Sequence, residues 1–432
     1  MYVRKKLVVI SIDALGAADL AGDVSHLPNI KSLIASGTHV EEVTGIYPTV
    51  TYPSHTTIVT GCYPKTHGIV NNVKRQSNKL SPDWYWYAKD IRVPTLFDAA
   101  HEEGLKTAAF LWPVTARSTI DYNIAEIFPN RIWTNQVLIS LHASSPLFLF
   151  QMNRKYGHLR KGIKQPELDD FITACAVDTL KNKRPDVTLI HLVDMDSQRH
   201  GYGVNSHEAE AALLRQDRRV GEIIQAVAEA GDKEETVFAI LGDHYQIDVD
   251  KMIRLNVLFA EKGWQVPTKI GTTKPNWEVW ANSCDGSTYI YIKKESAVSP
   301  SEVRELIEKA EGIEVVYTTD QAKSRGADPK CTFMVEAKRG YYFVDEAKGA
   351  SVAEVQEKEM WLPWRYRAVH GFSPEKENYA TTLVLSGPGI RKNHKKSKGR
   401  LIDEAPTFAK ILGLNTFPQK IDGKVLEDVF EE

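Results

Sequence analysis

Five runs dominated by apolar residues, Lys6–Ile12, Thr107–Leu111, Val187–Val193, Val237–Leu241 and Thr382–Leu385, stand out along the chain, several of them without polar alternation. A strand with one wet face alternates apolar and polar residues, whereas an unbroken apolar run is a strand covered on both faces. Between these runs, Pro94–Glu103, Ala209–Ala230 and Pro406–Leu412 place apolar residues at helical spacing. The alternation predicts an α/β fold with a doubly wound, mostly parallel central sheet flanked by helices. In such folds ligands gather at the carboxyl ends of the strands.

From residue 246 to 368 the texture changes. Ser287–Lys294 reads as a strand and Ser299–Ala310 as a helix opened by serine, while Cys331–Glu336 and Gly340–Asp345 read as a hairpin turning at Lys338-Arg339-Gly340. The expected organisation is therefore a core of residues 1–245 and 369–432 interrupted by a smaller α+β cap, 246–368. A second insertion, 130–165, is rich in aromatic and basic residues and contains Leu147-Phe148-Leu149-Phe150. It fits a lid over the site and a helical hairpin on the sheet edge equally well.

Composition narrows the classes of function. With 432 residues, 42% hydrophobic and 25% charged, the chain is ordinary globular material, and a net charge of -2 provides no basic field for a stable nucleic-acid complex. Arg4-Lys5-Lys6 followed by Leu7-Val8-Val9-Ile10 imitates a signal peptide, but the apolar run ends at Asp13 and reads better as a first strand. No segment reaches the ~18 apolar residues of a membrane span, so no membrane partner is expected. Cys62, Cys175, Cys284 and Cys331 are scattered without metal-ligand spacing, which suits reduced thiols and a cytoplasmic location.

Thr51, in Val50-Thr51-Tyr52-Pro53-Ser54-His55, carries the most chemical information. A threonine hydroxyl is a poor nucleophile at neutral pH and needs a base or a metal ion beside it. It precedes a helix-like run, His55–Thr60, whose first amides favour an incoming phosphate. A helix cap is the plainer role for a lone threonine. Asp196 and His200 are four apart and share a helix face. In Asp243-His244, after a strand, a tight turn can aim both side chains at one ion, and mixed carboxylate and imidazole ligands suit zinc or manganese.

Several stretches occur in an order that resembles the alkaline phosphatase superfamily, in particular its nucleotide pyrophosphatase/phosphodiesterase branch. They are Ile10-Ser11-Ile12-Asp13, Thr51-Tyr52-Pro53-Ser54-His55, His67-Gly68-Ile69-Val70-Asn71-Asn72, Asp196 with His200, Asp243-His244 and His370-Gly371. Ser386-Gly387-Pro388-Gly389-Ile390 and Asp403-Glu404-Ala405-Pro406-Thr407 resemble its closing elements, so the likeness spans nearly the whole chain. Each stretch is weak evidence alone; the ordered set is specific.

The resemblance implies an alkaline phosphatase-like fold and two divalent metal ions, zinc first and manganese second. It places Asp13, Thr51, Asp243 and His244 on one ion and Asp196, His200 and His370 on the other. Thr51 takes the nucleophile position, through a covalent phospho-threonine, and Asn72 donates to a phosphate oxygen, with Asn71 the lesser candidate. Tyr52 occupies the place of an aromatic that stacks on the substrate, although a core aromatic is an equally good reading. The implied activity is hydrolysis of a small phosphate ester, either a phosphodiester or a nucleotide pyrophosphate. A phosphomonoesterase, a phosphonoacetate-type phosphonate hydrolase and an inactive binding module are the competing readings. A sulfatase is disfavoured because its Cys-x-Pro-Ser-Arg frame is replaced here by Thr51-Tyr52-Pro53-Ser54-His55. Phe110-Leu111-Trp112-Pro113 matches the branch, Ala116-Arg117 stands where phosphonoacetate hydrolases place lysines, and Tyr245 replaces the usual glycine after Asp-His.

Overall fold

The computed structural model describes residues 4–131, 135–360, 362 and 364–432. Eight strands build the central sheet: β1 (Lys6–Ile12), β2 (Gly37–Thr44), β3 (Thr107–Phe110), β4 (Tyr122–Ile124), β5 (Val187–Leu192), β6 (Thr236–Leu241), β7 (Thr381–Ser386) and β8 (His394–Arg400). Their order is β8-β2-β7-β6-β1-β5-β3-β4, and every neighbouring pair is parallel except the two made by β7.

β1 shows why its sequence lacks alternation. Leu7 and Val9 pack into an apolar cluster with Ile58, Leu96 and Phe408, from the helices Thr51–Thr60, Leu96–Glu102 and Glu404–Leu412. Val8, Ile10 and Ile12 pack on the opposite face with Ile30, Ile172 and Val220, from Pro28–Ser36, Glu167–Asn182 and His207–Glu229. Both faces are dry, so Leu7, Val8, Val9, Ile10 and Ile12 follow without polar alternation, and the one buried polar side chain, Ser11, is bonded to His55 Nε2 at 2.9 Å. The outer strand β8 reads His-Lys-Lys-Ser-Lys-Gly-Arg, and these charges protect a sheet edge from pairing with another chain.

Between Asp243-His244 and His370 lie two smaller sheets. One is antiparallel, in the order Ile313–Thr318, Phe333–Ala337, Ser287–Ile292, Val279–Cys284. In the other, Gly340–Phe343 runs parallel to Ile247–Ile253, which also pairs with Val352–Glu354 and Ala368–Val369. The expected hairpin of 331–336 with 340–345 is therefore corrected: its two strands belong to different sheets. The turn at Lys338-Arg339-Gly340, with Gly340 at φ 87°, redirects the chain between sheets rather than folding it back.

In the second insertion, helices Gln136–Ala143 and Pro146–Tyr156 follow edge strand β4, and Phe148 packs against Phe110 and Tyr122. No described helix is long and apolar enough to cross a membrane.

Candidate metal centre and active site

The register of β1 with β5 and β6 brings three strand ends level, Ile12 opposite Leu192 and Ser11 opposite Leu241. Asp13 follows β1 directly, and its N–H continues the ladder to Leu192 O at 2.9 Å. Asp243 leaves β6 through Gly242, where a Cβ would stand 1.9 Å from Leu15 O, so only glycine lets the loop approach this closely. Asp194–Tyr202 begins just past β5 and is helical, placing Asp196 and His200 one turn apart with Oδ1 to Nε2 at 3.3 Å.

His370 reaches the site by strand pairing. Ala368–Val369 pairs with Asp248 and Ile247, so the two ends of the long insertion are zipped together, and the His370 ring stacks on His244 with centroids 4.0 Å apart. Gly371 at φ 84° locks this junction, since a Cβ there would meet Cys284 O at 1.6 Å.

Two clusters of residues that could hold a metal ion result among the described residues, Asp13 with Asp243 and His244, and Asp196 with His200 and His370. In the first, one oxygen of each carboxylate is held by the protein: His191 Nε2 lies 3.0 Å from Asp13 Oδ2, and Ala14 N–H donates to Asp243 Oδ1 at 3.2 Å. The other two, Asp13 Oδ1 and Asp243 Oδ2, are buried without a hydrogen bond. They stand 3.3 and 3.2 Å from His244 Nε2, and Thr51 Oγ1 stands 3.1 Å from the same nitrogen. Four ligands around a tetrahedral ion with bonds of about 2.0–2.1 Å are separated by about 3.3 Å, so the spacing fits one cation such as zinc.

Electrostatics agrees. Burial, then the neighbouring carboxylates Asp196 and Glu126, pushes Asp13 well above the carboxylate range; burial and Asp13 do the same to Asp243. Burial and the surrounding histidines push His244 well down, and burial takes His370 down to about 3. Closely packed buried carboxylates beside buried imidazoles form a donor set that a divalent cation satisfies.

Thr51 opens the helix Thr51–Thr60 and is 7% exposed. Asn72 lies beside it, with Oδ1 accepting the Tyr52 N–H at 2.8 Å, which leaves the Asn72 amide NH2 as its free donor end. Asn71 is committed elsewhere, donating to Ser283 O at 2.8 Å. The expected cradle of helix amides is corrected: Asn72 takes the Tyr52 N–H, Pro53 has none, and Ser54 N–H bonds Val50 O. A cavity of about 420 Å³ opens from Val50 and Asn72 toward Asp285 and Trp280, with Trp84 and Trp364 in its walls and lysines at its rim.

A profile of the type I phosphodiesterase / nucleotide pyrophosphatase family matches residues 7–371, which include all six residues of the two clusters and also Thr51. The chain belongs to this family. It is 25% identical over 254 residues to venom phosphodiesterase 2 of Crotalus adamanteus and 26% identical over 248 residues to human ectonucleotide pyrophosphatase/phosphodiesterase family member 1. These alignments take in 56% and 55% of this chain but only 27% and 23% of the relatives, so the chain spans about a quarter of their length. The fold matches human ectonucleotide pyrophosphatase/phosphodiesterase 5 with a TM-score of 0.69 at 17% identity, covering 99% of this chain and 100% of that one. It also matches the murine counterpart, solved as an inactive variant in complex with AMP, with a TM-score of 0.68 at 16% identity and the same coverage.

Within this phosphodiesterase scaffold Tyr52 needs correction. Its ring is 0% exposed and packs edge-on against Trp84, 5.1 Å between centroids, so no face is left for a substrate. At the second position of a helix whose ten residues are all buried, it points into the core, and Trp84 is the ring that lines the cavity. Tyr245 also turns away from the cavity. It packs over Gly16 and the Arg199 guanidinium, 4.9 Å from the ring centroid.

The sequence reading missed the residues that orient the cluster. His55 bonds Thr51 O through Nδ1 at 2.8 Å and Ser11 Oγ through Nε2 at 2.9 Å, with Asp243 Oδ2 3.4 Å away. His200 Nδ1 is held by Ala368 O at 2.8 Å, and Gln246 Nε2 donates to Asp196 Oδ1. Such partners fix ring orientation and ligand basicity. His55 sits inside the Thr51 motif, four residues on, and that helical spacing was its signal; His191 and Gln246 have none.

Proposed function

We propose that the chain is a two-metal phosphodiesterase or nucleotide pyrophosphatase in which Thr51 Oγ1, giving up its proton, attacks phosphorus and breaks one P–O bond. This releases an alcohol or phosphate and leaves a covalent phospho-threonine, whose Oγ1–P bond water later cleaves to regenerate the hydroxyl. The observation that carries this reading is the convergence of Thr51 Oγ1 with the two unpartnered carboxylate oxygens on His244 Nε2. Asp13, Asp243, His244 and Thr51 would hold one cation, and Asp196, His200 and His370 the other. Zinc fits first and manganese second. When bound, the ions supply Lewis acidity that favours the alkoxide and offsets charge on the phosphate.

The chain's own residues position the reaction. His55, bonded to Thr51 O, holds the first turn of the nucleophile's helix against Ser11 of β1. Asn72, fixed through Oδ1, offers its NH2 to a non-bridging phosphate oxygen, where a donor is worth most as charge builds. The cavity with Trp84, Trp280 and Trp364 accommodates a flat leaving group, and Lys79, Lys269 and Lys348 suit an anionic one. A nucleotide meets both demands, in keeping with the AMP bound by the murine relative.

The same reading divides the chain into a catalytic core, 1–245 with 369–432, and a cap, 246–368, that walls the cavity. Four buried cysteines, none in a disulfide, support a reducing, cytoplasmic setting. Arg117, where a phosphonoacetate hydrolase would need a carboxylate grip, is bonded to His142 at 2.9 Å, which weighs against that substrate.

Comparing bis-p-nitrophenyl phosphate, p-nitrophenyl phosphate and a phenylphosphonate ester tests the assignment. The diester should turn over fastest. Faster monoester cleavage would make the protein a phosphomonoesterase, and no Thr51-dependent turnover of any of them would leave an inactive binding module.

A further inference from the structure

We propose that the helical hairpin at residues 136–164 docks on an anionic lipid surface, a partner outside the catalytic reading and independent of it. The outward row of Pro146–Tyr156 is the first reason. Phe148, Leu149 and Met152 of this helix are buried, so its opposite side faces solvent and carries Leu147, Phe150 and Arg154, spaced i, i+3 and i+7. Leu147 is 80% exposed and Phe150 61%, and the preceding helix and following loop add Leu138 at 68% and Ile163 at 63%. A helix that only meets water places polar residues on that row. Scattered apolar residues on a surface are ordinary; a cluster of the largest ones on one insertion is not.

Charge selects the partner. From 127 to 166 the chain contains Arg131, Arg154, Lys155, Arg160, Lys161 and Lys164, and neither aspartate nor glutamate. Acidic neighbours answer three of these cations, Asp83 pairing with Arg131 at 2.7 Å, Asp178 with Lys155 at 2.7 Å and Glu167 with Lys161 at 2.6 Å. Arg154, Arg160 and Lys164 stand in no ion pair among the described residues, while Leu147, Phe150 and Ile163 lie beside them in sequence. Basic residues interleaved with exposed apolar ones match anionic headgroups over an acyl layer, into which such a helix sinks ~5–10 Å. An isologous contact with a second copy would set this basic face against the same basic face, which like charges oppose.

A cavity beneath the hairpin strengthens the assignment. Val137, Phe150 and Ile163 stand at its outer side and Leu149, Leu168 and Phe171 line it within, around a volume of about 300 Å³. An acyl chain displaced from the bilayer finds apolar lining there rather than water.

The test is co-sedimentation of the full chain with vesicles of equimolar phosphatidylglycerol and phosphatidylcholine, and with phosphatidylcholine alone. Binding should occur on the anionic vesicles, fall with added salt, and drop at least about tenfold in Leu147→Asp/Phe150→Asp, which removes two exposed apolar anchors. Turnover of soluble bis-p-nitrophenyl phosphate should be unchanged and reports that the variant is folded. Should that variant misfold, Arg154→Glu/Lys164→Glu tests the same surface through charge and should abolish the preference for anionic vesicles. Wild-type protein left in the supernatant, equal binding by the folded variants, or a solution dimer that these substitutions dissociate would each overturn the proposal.

Discussion

The hydroxyl oxygen of Thr51 lies 3.1 Å from His244 Nε2, the same nitrogen on which Asp13 and Asp243 each direct an unpartnered oxygen. In the proposed mechanism this hydroxyl would be a fourth ligand and the nucleophile at once, whereas the other three ligands would suffice to hold an ion. Thr51→Ala should therefore abolish turnover while metal content stays near the wild-type value, and Thr51→Ser should keep measurable activity. Full activity in Thr51→Ala, measured beside its metal content, would remove the residue from the chemistry.

Asn72 is oriented by the N–H of the residue next to the nucleophile, so its loss should leave binding of metal and fold intact. Asn72→Ala is expected to lower kcat by about 10²-fold with a smaller change in KM, the pattern of a donor used mainly in the transition state. An equal rise in KM with kcat unchanged would instead make Asn72 a ground-state binding residue.

His191 touches Asp13 Oδ2 at 3.0 Å and Leu111 O at 3.1 Å, tying the end of β1 to the chain following β3. Replacing it by Phe fills the space but frees Asp13 to rotate. Metal affinity at the first cluster should weaken by about 10- to 100-fold, read by competition with a chelator, with Thr51 untouched. Unchanged affinity would show that Asp13 is held by its backbone alone.

Much of this was legible in the chain, and for identifiable reasons. β1, β3, β5, β6 and β7 announce themselves because both of their faces are dry. The edge strands do not: β4 has three residues, and β8 reads as a charged loop because its job is to resist pairing. The ligands lie in short motifs, but Tyr52 could not be placed from its neighbours, since its burial depends on Trp84 arriving from another segment. The turn at 338–340 was visible as a turn; which sheet its second strand joins is decided by Ile247–Ile253, far away in sequence.

Glu336, in the strand Phe333–Ala337, accepts from Tyr47 OH at 2.6 Å and from Ser373 N–H at 2.9 Å, two residues far from it in sequence. Burial raises its acid from 4.5 to about 7, against the opposing pull of Lys376. The folded state thus binds this proton more tightly than the unfolded state. Its contribution is fully present below pH 4.5 and is lost as pH rises toward 7, at up to about 1.4 kcal/mol per pH unit. Glu336→Gln should remove that slope. Urea midpoints at pH 5, 6, 7 and 8 check it: wild type should lose stability relative to the variant with rising pH, and parallel profiles would refute the assignment.

The most direct test of the covalent route is acid quenching during turnover of a phosphodiester, followed by mass spectrometry of the peptide that contains Thr51. A phosphoryl ester on that threonine, absent from Thr51→Ala, is the predicted result. Continuous product formation with no adduct on Thr51, alongside unimpaired turnover by Thr51→Ala, would contradict it.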